Sequence, residues 1–142
     1  MLSTTSVSSD EDGTPTGFFT VRLASQPIGA GTVIITFAGD TQAAVDTDAA
    51  TAGNQTIVSF SSSTWSTPRT ISVPAIDDNL IEVTQTGTVT GAVSGASTDY
   101  TDPVVTVTVA NVTCTIADND AAGFTLSPST TASSRQNTSE PG

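Results

Sequence analysis

Histidine and lysine are absent from this chain, and Arg22, Arg69 and Arg135 carry all of its positive side-chain charge. Chemistry that leans on an imidazole or an amine, as general base or as activator of a nucleophile, has no residue to work with. Against 14 acidic residues the three arginines leave a net charge of -11. Such a chain cannot neutralise a run of phosphates, so nucleic acid is not an expected partner, and the same excess repels anionic lipid. Cys114 is the single cysteine, which rules out an internal disulfide. No apolar run approaches the ~20 residues of a membrane helix, so no membrane insertion is expected. The opening Met1-Leu2-Ser3-Thr4-Thr5 has neither the basic nor the apolar part of a signal peptide.

What is present is serine, threonine and short β-branched runs. At 142 residues the chain suits one domain. Its hydrophobic fraction of 36% falls into alternating runs, which argues for a folded middle rather than disorder. In Phe18–Ala24, Phe19, Val21 and Leu23 share one face while Thr20 and Arg22 share the other, the period of a half-buried strand. A turn-rich Gln26–Gly31 leads to a second run, Thr32–Phe37, and the two read together as a hairpin or its near relative. Residues 39–54 read as a long loop holding Asp40, Asp46 and Asp48.

Further strands are expected at Thr56–Phe60, at Arg69–Ile76 with Pro74 closing it, and at Thr84–Val93, where Gly87 and Gly91 suggest bulges or bends. From Val104 to Ile116 the apolar positions are 105, 107 and 109, then 112, 114 and 116. This change of phase near Ala110-Asn111 calls for a bulge or turn. Six or seven short strands without a convincing helix predict an all-β protein, an immunoglobulin-like antiparallel β-sandwich of about seven strands.

Three acidic clusters lie beside strands: Asp10-Glu11-Asp12, Asp77-Asp78-Asn79 with Glu82, and Asp118-Asn119-Asp120. Strand ends of a sandwich collect at two poles, so clusters distant in sequence can meet. Carboxylates that converge repel one another, and a hard divalent cation with six to eight oxygen ligands relieves the repulsion. Calcium suits such donors best. Against this stands the ordinary use of Asp and Asn as turn residues at strand ends.

The run Ser59–Asn79, with its Trp65-Ser66-Thr67-Pro68 turn leading through a strand into Asp77-Asp78-Asn79, resembles the central segment of Calx-beta repeats of large extracellular proteins. Ile116-Ala117-Asp118-Asn119-Asp120 resembles the family's terminal Asp-x-Asp, and Phe19–Leu23 its early strand. The likeness covers most of residues 6–128. It implies an immunoglobulin-like sandwich that binds Ca2+ through Glu11, Asp77, Asp78, Glu82, Asp118 and Asp120. Glu11-Asp12-Gly13 and Ile81-Glu82-Val83-Thr84 depart from the family's pattern, so one or two sites are expected rather than a dense cluster.

Gly123-Phe124-Thr125-Leu126-Ser127-Pro128 resembles the opening strand of a following repeat, and Thr138–Gly142 echoes Ser9–Gly13. The expected division is a repeat over 6–120 and, over 121–142, the start of a following repeat, a linker or a donor strand. The chain would then lack its own first strand and carry its neighbour's. These readings describe a structural, calcium-binding repeat of an extracellular adhesin, surface protein or filament, with neighbouring repeats or identical subunits as head-to-tail partners and an extracellular or cell-surface location.

Two other readings stay open. One is a filament subunit joined by strand exchange. The other is a carbohydrate-binding module using Trp65 and Tyr100, with a glycan or cell-surface ligand. Enzyme function fits poorest. Asp40, Asp46, Asp48, Asp99 and Asp102 read as solvated turn residues, with Asp99 as reserve ligand, and Cys114 as a buried small hydrophobe. Asn54, Asn111 and Asn137 head N-x-[ST] triplets, acceptors for glycosylation in a eukaryotic secretory protein.

Overall fold

The computed structural model describes residues 1–95, 97–101 and 107–127. Its strands are β1 (Ser6–Asp10), β2 (Gly17–Val21), β3 (Val33–Ala38), β4 (Ile57–Phe60), β5 (Arg69–Val73), β6 (Gln85–Gly95) and β7 (Val112–Ala117). A single helical turn, α1 (Thr98–Thr101), follows β6. Asp102, Val105, Arg135, Asn137 and the Thr138–Gly142 echo lie outside the described residues.

Alternation does what the sequence implies. Phe19 and Val21 of β2, Val33, Ile35 and Phe37 of β3, Val58 and Phe60 of β4, Ile71 and Val73 of β5, and Val112, Cys114 and Ile116 of β7 all point into one core. Five strands form one sheet in the order β1-β7-β6-β3-β4, and β2 and β5 form the other. The two sheets meet across that core, where the rings of Phe19 and Phe37 stand edge to face at 5.6 Å. The result is an immunoglobulin-like β-sandwich. All pairs are antiparallel save β1 with β7, which is parallel.

Three expectations need correction. The run beginning at Phe18 and the run over 32–37 do not form a hairpin: β2 pairs β5 while β3 pairs β4 and β6, so the Gln26–Gly31 connection crosses between sheets. Each of these strands finds its apolar face covered only if the chain changes layer. Gly87 and Gly91 create no bulge, since β6 keeps a continuous register against β7 over 85–89 and against β3 over 90–95. They are small because other chain segments press on them: a Cβ on Gly87 would lie 2.5 Å from the Ala43 side chain, and one on Gly91 2.8 Å from Val109.

The N-terminal residues, not assigned to a strand from sequence, occupy sheet edges. Leu2 bridges Val21 and the Ser3 N–H donates to the Thr20 carbonyl, after which the chain switches sheets to form β1 beside β7. The place of a first strand is thus held by the chain's own residues. Residues 39–54 form a long loop, as read; it is stitched along β5 through Ala43↔Ala75 and Asp46↔Ser72, and Ala43 and Val45 are buried.

Asp40 holds that loop in place. Its carboxylate accepts the N–H groups of Gln42 (2.9 Å), Ala43 (3.0 Å) and Thr88 (2.7 Å), so this exposed loop residue is also a loop anchor. Burial disfavours its charge, but the backbone donors outweigh this and hold the carboxyl below its usual range. Asp46 similarly accepts the Asp48 N–H at 2.9 Å. The Val112–Ile116 face is buried as read, and residues 107–110 before it are not strand, consistent with a break at Asn111.

Gly87→Val is expected to destabilise the fold by about 1–3 kcal/mol through overpacking against Ala43. A lowered urea midpoint with an unchanged slope would show it; an unchanged midpoint would refute the close approach.

Candidate metal centre

The parallel register of β1 on β7 ends with Asp10 opposite Ala117. One residue further, the Glu11 N–H donates to the Ala117 carbonyl at 3.1 Å. This bond brings Glu11 beside the Asp118-Asn119-Asp120 segment that leaves β7. Ser9 steadies the approach: its buried hydroxyl donates to the Val73 carbonyl and accepts the Gly17 N–H at 2.9 Å, tying β1 to the opposite sheet.

Ligand atoms of Glu11, Asp118 and Asp120 all lie within 4.8 Å of one another. Oxygens on opposite sides of a calcium ion stand up to about 5 Å apart, given Ca–O distances of 2.3–2.6 Å. The spacing therefore suits such an ion. The loop after β5 supplies the remaining acids. The Glu82 N–H donates to Asp118 at 2.7 Å, and the Asn119 amide donates to Asp77 at 3.3 Å. Asp118 also accepts the Asp120 N–H at 2.9 Å, and Asp78 accepts the Leu80 N–H at 2.7 Å.

The electrostatics are those of charges held together without compensation. Glu11 is 5% exposed, and neither of its carboxylate oxygens has a hydrogen-bond partner; the same holds for one oxygen each of Glu82 and Asp120. Burial first, then the charges of Asp118 and Asp78, raise the Glu11 pKa, with a partial offset from the Asn119 N–H. Glu82 is raised by burial and by Asp78, Asp118 and Asp120, and Asp120 by burial and by Asp118, Asp77 and Asp78. Asp118 goes the other way, because the N–H groups of Asp120 and Glu82 favour its charged form.

All six acids singled out from sequence thus lie at one pole. Glu11, Asp118 and Asp120 stand at ligand spacing, Glu82 is adjacent, and Asp77 and Asp78 act through their charge. Sequence reasoning missed Ser9 and the side chain of Asn119. Ser9 sits in a Ser-rich run where its burial has no signature, while Asn119 lay inside a cluster read for its acids alone.

Asp99 does not serve as a reserve ligand here. It lies past the far end of β6, bonded to the Ser97 hydroxyl and to the Ile28 N–H at 3.2 Å. The Tyr100 hydroxyl donates to the Ser25 carbonyl at 2.7 Å, and the Tyr100 and Trp65 rings pack against the core. Asn54 and Asn111 are exposed. Cys114 is buried.

No protein-family model matches the chain, and no curated protein matches it. Among solved structures it is similar to the periplasmic chaperone SfaE, at 10% identity and a TM-score of 0.54 over 90% of this chain. The matched region spans 59% of the chaperone's chain. At that identity the likeness concerns the fold, and it agrees with the immunoglobulin-like sandwich seen here. Among the described residues no helix is long and apolar enough to cross a membrane.

The raised pKa values set a pH response for the metal-free protein. Glu11, Glu82 and Asp120 bind protons more tightly folded than unfolded, so their penalty is absent below the unfolded carboxyl range near pH 4. It grows as pH rises through their folded-state values. Asp118 opposes this, its contribution being lost as pH falls. In chelator, Glu11→Gln is expected to flatten the decline in urea midpoint as pH rises above the unfolded carboxyl range near pH 4. Parallel wild-type and variant profiles would show that Glu11 carries no such penalty.

Proposed function

We propose that this chain is a structural module of the Calx-beta kind in which calcium organises the acidic pole. The observation that supports this most directly is Glu11, a buried carboxylate with both oxygens unpartnered, facing Asp118 and Asp120. A buried charge without a partner is costly. An oxygen-only donor set at this spacing fits a hard cation and not a thiophilic metal. Glu11, Asp118 and Asp120 would hold the ion, with Glu82 completing the sphere and Asp77 and Asp78 adding to the negative field.

Such an ion would join three separate stretches of chain: the end of β1, the loop after β5 and the end of β7. Its task is mechanical, fixing the pole from which the chain leaves the domain. This reading makes the protein a repeat of an extracellular surface protein, adhesin or filament, with like modules as partners, and not an enzyme. The structural likeness to a periplasmic chaperone supports a place outside the cytoplasm.

Binding to the folded state alone raises stability by mass action, about 2.7 kcal/mol at a free calcium concentration one hundred times Kd. Wild-type protein is accordingly expected to melt higher in millimolar calcium than in chelator, and Glu11→Gln to lose that difference while remaining folded. Identical wild-type melting curves in the two conditions would sink the calcium reading. Calcium affinity should also fall as pH drops into the carboxylate range, because ligands must shed protons to bind.

A further inference from the structure

The pole opposite the acids carries an apolar cleft of about 410 Å³, lined in part by Leu2, Val21, Leu23, Ile35, Val93 and Val109. Its place follows from the registers. β2 runs from Gly17, beside Ser9, toward Val21, and β6 runs from Gln85, opposite Ile116, toward Gly95. The cleft thus lies where β2 and β6 end, while the acids lie where β1 and β7 end.

The chain beyond β7 leaves from the acidic pole. Residues 121–127 carry no secondary structure, and Phe124 and Leu126 are 87% and 83% exposed. Two residues apart, these side chains share one face of an extended segment. They cannot reach their own cleft: β7 alone spans roughly 20 Å and the cleft lies beyond its start, while residues 121–126 extend at most about 20 Å from Asp120. A second copy stacked on the first brings the segment and the cleft together.

Charge supports the same polarity. Arg22 lies on the cleft side of Val21, and Arg69 pairs with Val21 at the start of β5, so both described arginines stand at the cleft pole. Glu11, Asp77, Asp78, Glu82, Asp118 and Asp120 stand at the other. Asp48 shares a surface with Arg69, and Asp99 accepts the Ile28 N–H, so the cleft pole is mixed in charge. The one-sign cluster of acids at the other pole opposes contact between two acidic poles.

We infer that the cleft seats the Phe124–Leu126 segment of a second copy of this chain. Phe124 and Leu126 enter between the sheets, and the acidic pole of the donor faces Arg22 and Arg69 of the acceptor. The contact is heterologous, so each copy retains a free segment at one end and a free cleft at the other, and assembly continues into chains. This rests on the head-to-tail module reading but not on the metal.

Sedimentation of the full chain from micromolar to millimolar concentration, in calcium and in chelator, tests it. Wild type is expected to form dimers and longer species. Phe124→Ser combined with Leu126→Ser should weaken association at least tenfold without moving the monomer's melting temperature, since both side chains are exposed. Val109→Asp, with a charge in the cleft, should also be monomeric. Mixing the two variants should restore a 1:1 dimer that grows no further. A wild type that stays monomeric at millimolar concentration, or a tail variant that associates as wild type does, overturns the inference. Association that persists while the calcium-dependent melting shift is absent removes the metal reading and leaves this one standing.

Discussion

The parallel pairing of β1 with β7 is the contact on which the candidate site depends. It sets Asp10 opposite Ala117, so that the first residues past the ladder, Glu11 on one strand and Asp118 on the other, emerge side by side. A shift of one residue would turn Glu11 to the other face and dissolve the cluster, because side chains alternate along a strand. The Ser9 hydroxyl, bonded across to Val73 and Gly17, resists that slip. The same switch of the N-terminal segment from β2 to β7 covers an edge of each sheet, where unpaired backbone would otherwise invite other chains.

The core and the acidic pole make opposite contributions. Phe19, Phe37, Phe60, Ile71 and their neighbours are fully buried, and their burial drives folding. At the pole, the fold holds like charges at short range and leaves carboxylate oxygens without donors. Electrostatic penalties of that kind are tolerated when the rest of the structure over-determines the geometry, here three strand ends rooted in the core. The divalent cation proposed for this pole would convert the same arrangement from repulsion into a tie among them.

Strands were legible wherever one face is apolar and the other polar, as in Phe19-Thr20-Val21-Arg22-Leu23 and in Val112 to Ile116. β1 was not, because Val7 is its only apolar residue and the serine that it buries looks like every other serine in the chain. Sheet membership was equally hidden. The runs of β2 and β3 look like a hairpin since both are half-buried strands separated by turn formers, yet which strand pairs with which is decided by how two apolar faces close on one core. A bulge was expected at Gly87 and Gly91 for the same reason: local sequence does not contain the Ala43 and Val109 side chains that press upon them.

By itself, then, the sequence determined the strand periodicities, the all-β class and the identity of the acidic residues, because these follow from alternation and composition along the chain. The tertiary structure alone decided that Glu11 is buried and unpartnered, that Asp99 stands at the far pole, and that an apolar cleft and an exposed apolar segment lie at opposite ends. Burial and convergence are properties of how strands as far apart in the chain as β1 and β7 are laid side by side, and no local pattern encodes them.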